Sequence, residues 1–271
     1  MQVESVVTSV VPDSGRLLIL SNGAYGKRLA LIAERHGIDH CVVSASEREI
    51  ITPSAVEAEL LRAAAANGER AYSHVVVVHH ETTSGILNPM HEIGLAVGRA
   101  APEAAYIVDS MSAFGAYEVD MVKSNVSYMV SSANKNIEGV RRRLRSLARS
   151  PARPLGTRHT FDTTRHHTLH GAFTTRLFAH SPARMRAHHI FPAPHVAQVP
   201  GFAFAICRRD KLLAEGGAAR TLSLDLLAQW QGLEGNGQFR FTPPTHALLA
   251  FRQALREHSA EGGLPASIGS D

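Results

Sequence analysis

The segment His74–His80 reads HVVVVHH and contains four consecutive valines. A strand with one solvated face alternates apolar and polar residues, whereas a strand buried on both faces is apolar throughout. Strands of the second kind belong to largely parallel sheets that helices cover on both sides. This run therefore favours an α/β domain built on a buried sheet.

Strand-like and helix-like segments alternate through the first half of the chain, as a parallel sheet requires. Short apolar runs predict strands, which lie at Arg16–Ser21, His40–Ala45, His74–His80, Ala104–Ser110 and Val126–Lys135. Segments with helical periodicity, two of them ending in a glycine, lie at Lys27–Gly37, Pro53–Gly68 and His91–Ala101. The predicted fold is a mostly parallel sheet flanked by helices, and in such sheets a ligand binds at the carboxyl ends of the strands.

The segment 141–199 differs in composition from the rest of the chain. It contains 11 of the 28 lysines and arginines, all of them arginine, half of the 16 histidines and one acidic residue, Asp162. Prolines and scattered polar residues remove any period, so we predict irregular or disordered structure here. The predicted organisation is a domain that begins over 1–140, is interrupted by this basic insert, and continues over 200–271.

Polar clusters follow three of the predicted strands: HHETTSG, IVDSMSAFG and SSANKNIEGV. Taken singly, each is as well explained by an ordinary turn after a buried strand. However, Asp109 and Lys135 follow successive strands, and pyridoxal-phosphate (PLP) chemistry requires such a pair. A lysine amine forms a Schiff base with the cofactor aldehyde, and a carboxylate keeps the pyridine nitrogen protonated so that the ring accepts electrons.

Several strings, in this order, resemble the 2-aminoethylphosphonate–pyruvate transaminase family of PLP-dependent aminotransferases. They include SNGAYGKR, HHETTSGILNP, IVDSMSAFGA and SSANKNIEGV, followed by PGFAFAICRR and GQFRFTPPTHALLAFRQAL. The resemblance covers 1–140 and 200–263. The alanine–glyoxylate and serine–glyoxylate aminotransferases share this layout but match the strings less well.

The resemblance implies the large domain of a fold-type-I PLP-dependent transferase that works as a homodimer. It implies transfer of an amino group from 2-aminoethylphosphonate to pyruvate, giving phosphonoacetaldehyde and alanine. By position in the matched motifs, Lys135 is the Schiff-base lysine and Asp109 the partner of the pyridinium nitrogen. Tyr25 is placed to stack on the cofactor, Thr82 to bind near the ring oxygen, and Thr242 to reach the PLP phosphate of the partner subunit.

The sequence departs from this family in three ways. It opens after the family's glycine-rich phosphate cup, it ends before the small domain that supplies a substrate-anchoring arginine, and it carries the insert. Joining Val140 to Pro200 restores an uninterrupted family reading, and the insert has the composition of translated non-coding sequence, such as a retained intron. We therefore expect this chain to be weak or inactive as an enzyme, an inactive fragment of the family being one alternative.

Other expectations concern compartment, partners and metal. The sequence contains no signal-peptide pattern and no apolar run long enough for a membrane span, so we expect a cytoplasmic protein. The arginine-rich insert suggests a nucleic-acid-binding arm as a competing function, but it contains no recognised module, and we expect no nucleic-acid partner. His166, His167 and His170 superficially resemble metal ligands, but nothing in the pattern fixes their geometry, so we expect no metal site.

Overall fold

The computed structural model describes residues 2–66, 71–136 and 201–260. The chain divides into two compact units. The first contains Met1–Ser131 and Ala203–Leu227, and the second contains Ser132–Phe202 and Ala228–Asp271. The predicted irregularity of 141–199 falls outside the described residues.

A six-stranded sheet forms the centre of the first unit, with strand order β2-β1-β3-β6-β7-β8. Its strands are β1 (Leu17–Ser21), β2 (His40–Ser44), β3 (His74–Val78), β6 (Ala105–Asp109), β7 (Tyr128–Ser132) and β8 (Ala203–Cys207). The pairs β1–β2, β1–β3, β3–β6 and β6–β7 are all parallel, which confirms the predicted mostly parallel sheet. A separate antiparallel hairpin consists of β4 (His80–Glu81) and β5 (Ile86–Leu87).

The strand β8 was not predicted, and it runs against the others. Its flanking backbone bonds join Arg208 N to Ser127 O at 2.8 Å and Ala133 N to Phe202 O at 3.0 Å. From the first bond to the second, the residue on the β7 side moves forward from Ser127 to Ala133, whereas the residue on the β8 side moves back from Arg208 to Phe202. The strand β8 therefore lies antiparallel to β7.

The described residues form seven α-helices. They are α1 (Gln2–Val10), α2 (Ala24–Arg35), α3 (Pro53–Ala65), α4 (Met90–Ala100), α5 (Arg209–Glu215), α6 (Leu226–Asn236) and α7 (Thr245–Ala260), with a 3₁₀ turn at Gly216–Ala218. Of these, α2, α3 and α4 lie close to the three predicted helical segments. Helix α3 shows why the prediction succeeded: Thr52 caps it by accepting from Ala55 N, and Pro53 occupies its first turn. No helix in the described part of the chain is long and apolar enough to cross a membrane.

The strands β1, β3, β6 and β7 are buried on both faces, as the valine run predicted for β3. One core joins α3 and α4 to alternate strand residues, among them Leu18, Val75, Val77, Tyr106 and Val108. The intervening residues Leu17, Ile19, Val76 and Ile107 are also fully buried. Because successive side chains of a strand point to opposite faces, they pack on the other side of the sheet.

In the second unit, the described residues contain helix α7. The buried side chains of this helix are Ala250, Phe251 and Ala254. The ring of Phe251 meets that of Phe202 edge-on, with centroids 5.3 Å apart. This geometry is the favourable one for aromatic pairs.

Two helical glycines give opposite predictions for the same substitution. Gly→Ala in a helix interior normally stabilises a protein by about 1 kcal/mol. At Gly235 in the last turn of α6 an added Cβ meets no atom within 4 Å, so Gly235→Ala should show a gain up to this size. At Gly94 in α4 the Cβ would overlap the backbone carbonyl of Ser124, which cannot rotate away. We expect Gly94→Ala to lower the free energy of unfolding by about 1–3 kcal/mol in urea titrations. Equal effects at both positions would contradict this packing.

Candidate functional site

The carboxyl ends of the parallel strands bring Asp109 to the middle of the sheet edge. Asp109 is the last residue of β6, aligned with Val78 of β3 on one side and Val130 of β7 on the other. The chain leaves β1 at the same edge and enters α2, where Tyr25 lies. It leaves β3 there and enters the hairpin that carries Thr82. Three predicted site residues therefore follow neighbouring strands at one edge of the first unit.

The Asp109 carboxyl is almost completely buried, with 7% of the residue exposed. Its Oδ1 accepts a hydrogen bond from Met111 N at 3.0 Å. Burial raises the pKa of Asp109 to about 6; the Met111 N–H opposes this rise, and the charge of Glu81 adds to it. Since the described residues place no cation in an ion pair with it, this carboxylate is suited to a cationic ligand group.

His79 lies directly beside Asp109 and cannot serve as that cation. Its backbone N donates to Asp109 O at 2.9 Å, and its Nδ1 lies 3.4 Å from the Ser110 hydroxyl. Burial, assisted by the charge of His80, lowers the pKa of His79 to about 4, so its ring is neutral near pH 7. The ring centroid lies 5.9 Å from that of Tyr117. The described residues contain no group of metal ligands.

Tyr25 and Thr82 present different surfaces at this edge. Tyr25 is half-buried in the first turn of α2, and the Arg28 guanidinium lies 5.0 Å from its ring centroid. Thr82 is exposed in the turn between β4 and β5. Its hydroxyl is therefore accessible to a ligand.

Lys135 and Thr242 belong to the second unit. Lys135 is exposed and follows the last residue of β7 by three positions, whereas Thr242 is exposed shortly before α7. That Lys135 and Asp109 bracket one pyridine ring stays a prediction, as do the roles of all five residues.

Sequence reasoning missed Glu81, which is wholly buried beneath the edge. Its Oε2 accepts from Tyr25 N at 3.0 Å and Gly26 N at 3.3 Å, which makes it the cap of α2. The helix begins after Gly23, which provides no side-chain cap of its own. Two features of the sequence could have indicated this contact: the helix lacks a local cap, and HHETTSG contains a carboxylate.

A pair of buried amides, Asn22 and Asn88, fixes the start of the same loops. Each side chain donates to the other, Asn22 Nδ2 to Asn88 Oδ1 at 2.8 Å and Asn88 Nδ2 to Asn22 Oδ1 at 3.1 Å. Asn88 Nδ2 also donates to Val78 O at 2.8 Å. The ends of β1 and β3 are therefore held together by side chains as well as by the strand ladder.

Comparisons with known proteins agree with this geometry. Residues 29–140 match the family model described as Aminotransferase class-V. The 2-aminoethylphosphonate–pyruvate transaminases of Salmonella paratyphi C and Salmonella choleraesuis are each 36% identical over 97% of this chain, which covers 54% of each relative. Residues 29–140 therefore belong to the class-V aminotransferase family. The chain spans about half the length of these curated relatives.

Solved structures support the same aminotransferase fold. The pyridoxamine–pyruvate aminotransferase of Mesorhizobium loti is 20% identical, with a TM-score of 0.66 over 97% of this chain and 51% of its own. The alanine–glyoxylate aminotransferase of Nostoc sp. is 16% identical, with a TM-score of 0.67 over 98% of this chain and 53% of its own. At these identities the likeness establishes the fold of this chain and nothing finer.

The raised pKa of Asp109 predicts a pH-dependent stability in the absence of cofactor. Between the ordinary value of 3.8 and about 6, the folded state binds more protons than the unfolded state, so stability falls as the pH rises through this window. Asp109→Asn removes the buried charge and keeps an acceptor for Met111 N. We expect this variant to unfold with about 2–3 kcal/mol more free energy than wild type at pH 8. The difference should nearly vanish at pH 3.5, as measured by urea titration. An equal difference at both pH values would contradict a buried charge.

Proposed function

We propose that this chain is the cofactor-binding part of a PLP-dependent aminotransferase that moves the amino group of 2-aminoethylphosphonate to pyruvate. The observation that carries the proposal is the buried Asp109 carboxylate, which forms no ion pair within the described residues and lies at the strand edge of an aminotransferase fold. The proposed substrates are taken from the relatives at 36% identity, which are named 2-aminoethylphosphonate–pyruvate transaminases.

The residues present fit PLP. A protonated pyridine nitrogen beside Asp109 would return the pKa of this carboxyl toward its ordinary range and offset the free energy of burying it. The half-buried Tyr25 offers a ring face for stacking, and the exposed Thr82 offers a hydroxyl. Bound PLP supplies an electron sink for the carbon bond being broken.

The remaining chemistry falls to Lys135 and Thr242. The Lys135 amine would hold the cofactor covalently and, once released by substrate, would move a proton between substrate and cofactor carbons. Thr242 would bind the PLP phosphate of a partner subunit in a homodimer. We assign no arginine as the substrate anchor, because Arg240 and Arg252 match family motifs at other positions.

The proposed partners are small molecules, 2-aminoethylphosphonate and pyruvate, together with a second copy of the chain. We propose neither a nucleic-acid nor a membrane partner. Cys41 and Cys207 are both free thiols, which fits a reducing, cytoplasmic compartment.

An alanine–glyoxylate or serine–glyoxylate aminotransferase is the alternative within the same fold, and the Nostoc structure supports it at the level of fold. The amino donor distinguishes the two. In a protein extended to the full length of the curated relatives, we expect 2-aminoethylphosphonate with pyruvate to turn over fastest. Faster transfer from alanine or serine to glyoxylate would favour the alternative.

The cofactor assignment predicts where PLP attaches. After incubation with PLP and reduction with borohydride, mass spectrometry of proteolytic peptides should find the cofactor on Lys135. Lys135→Ala should abolish this labelling, whereas Lys123→Ala, which alters an exposed lysine paired with Asp120, should leave it unchanged. Equal labelling of several lysines, or undiminished labelling of the Lys135→Ala variant, would show that Lys135 is not the attachment point.

A further inference from the structure

Glu81 connects two segments that are far apart in sequence. Its Oε2 accepts from Tyr25 N and Gly26 N, and its Oε1 accepts from the Thr83 hydroxyl at 2.6 Å and from Thr83 N at 3.3 Å. The Thr83 hydroxyl in turn accepts from Ala24 N at 3.1 Å. The first three amides of α2 are therefore all satisfied from the β4–β5 hairpin.

The fit around this carboxylate leaves little room for another arrangement. Glu81 is 0% exposed, and a Cβ at Gly23 would overlap its Cγ. A carboxylate at a helix N-terminus also meets the positive end of the helix dipole, which strengthens its bonds to the amides. The start of α2 and the hairpin are therefore one connected piece.

We propose that Glu81 is the positioning residue that sets Tyr25 against Thr82, so that the ring and the hydroxyl face one cofactor at a fixed separation. Tyr25 is held directly, through its backbone N–H. Thr82 lies between Glu81 and Thr83, which bond to each other. This role rests on the proposed function, since it presumes that Tyr25 and Thr82 contact PLP.

Glu81 also acts on Asp109 through its charge, which raises the pKa of that carboxyl. Two negative groups at one edge attract a cationic ring nitrogen more strongly than either does alone. Replacing Glu81 by glutamine therefore removes an anchor and one of these two negative charges, while the side-chain volume is nearly unchanged.

The test compares Glu81→Gln with wild type by two measurements. A glutamine presents an NH₂ to one of its two sets of donors, so either the α2 amides or Thr83 loses its acceptor. We expect hydrogen exchange of the Tyr25 and Gly26 amides to accelerate by about tenfold or more without cofactor. We expect PLP to bind about tenfold more weakly or worse, as measured by equilibrium titration of its absorbance.

Matched variants separate positioning from charge and from misfolding. Glu47→Gln removes an exposed carboxylate that pairs with Lys27 of α2, and it should change neither measurement. Thr83→Val removes the hydroxyl that links Ala24 to Glu81, whereas Thr83→Ser keeps it. We expect valine to give smaller changes in the same direction and serine to restore wild-type behaviour, so this pair serves if Glu81→Gln does not fold.

The outcomes are distinguishable. Unchanged amide exchange in Glu81→Gln would show that Glu81 does not hold the start of α2. Faster exchange with unchanged PLP affinity would show that Glu81 does not position the residues that bind the cofactor. If wild type binds no PLP at all, the proposed function fails, and the exchange rates alone decide whether Glu81 orders the two segments.

Discussion

The parallel pairing of β1, β3 and β6 is the constraint on which the site depends. Parallel strands end at the same edge, so the polar residues that follow them meet although they are distant in sequence. Apolar burial on both faces fixes the register, because a slip of one residue would exchange the two sets of core side chains. Asp109 thus occupies its place through the packing of the whole sheet, including Val76 and Ile107.

Electrostatics at this edge opposes stability. Asp109 is buried and forms no ion pair with the part of the chain that the structure describes, and Glu81 makes its ionisation less favourable. A protein selected for stability alone would place a neutral side chain there. The observed arrangement is favourable when a cation binds, since the same free energy that weakens the fold then contributes to affinity. A perturbed carboxyl in this position is typical of functional sites.

The sequence predicted the buried strands and three of the seven helices, because the valine run, the Thr52–Pro53 start and the glycine stops are local signals. It also predicted that Asp109 would lie at the end of a strand. It did not predict β8, whose antiparallel direction depends on its pairing with β7 rather than on its own residues. It missed Glu81 as a helix cap because Glu81 and Tyr25, which the bond joins, lie 56 residues apart in the sequence. Local patterns cannot reveal such tertiary contacts. The role of Lys135 was predicted from its place after a strand as well as from the resemblance, whereas that of Thr242 came from the resemblance alone.

The paired amides of Asn22 and Asn88 have a consequence for chemical ageing. Asn22 precedes Gly23, and an asparagine before glycine readily loses its amide when the following backbone nitrogen attacks the side-chain carbonyl. Here the Asn22 side chain is 2% exposed, and its Nδ2 is bound to Glu49 O and Asn88 Oδ1. Rotation toward Gly23 would break these bonds in a place that water does not reach. The folded chain therefore protects this asparagine–glycine pair, one of three in the sequence. Molecules that spend time unfolded would accumulate a permanent negative charge at the base of α2.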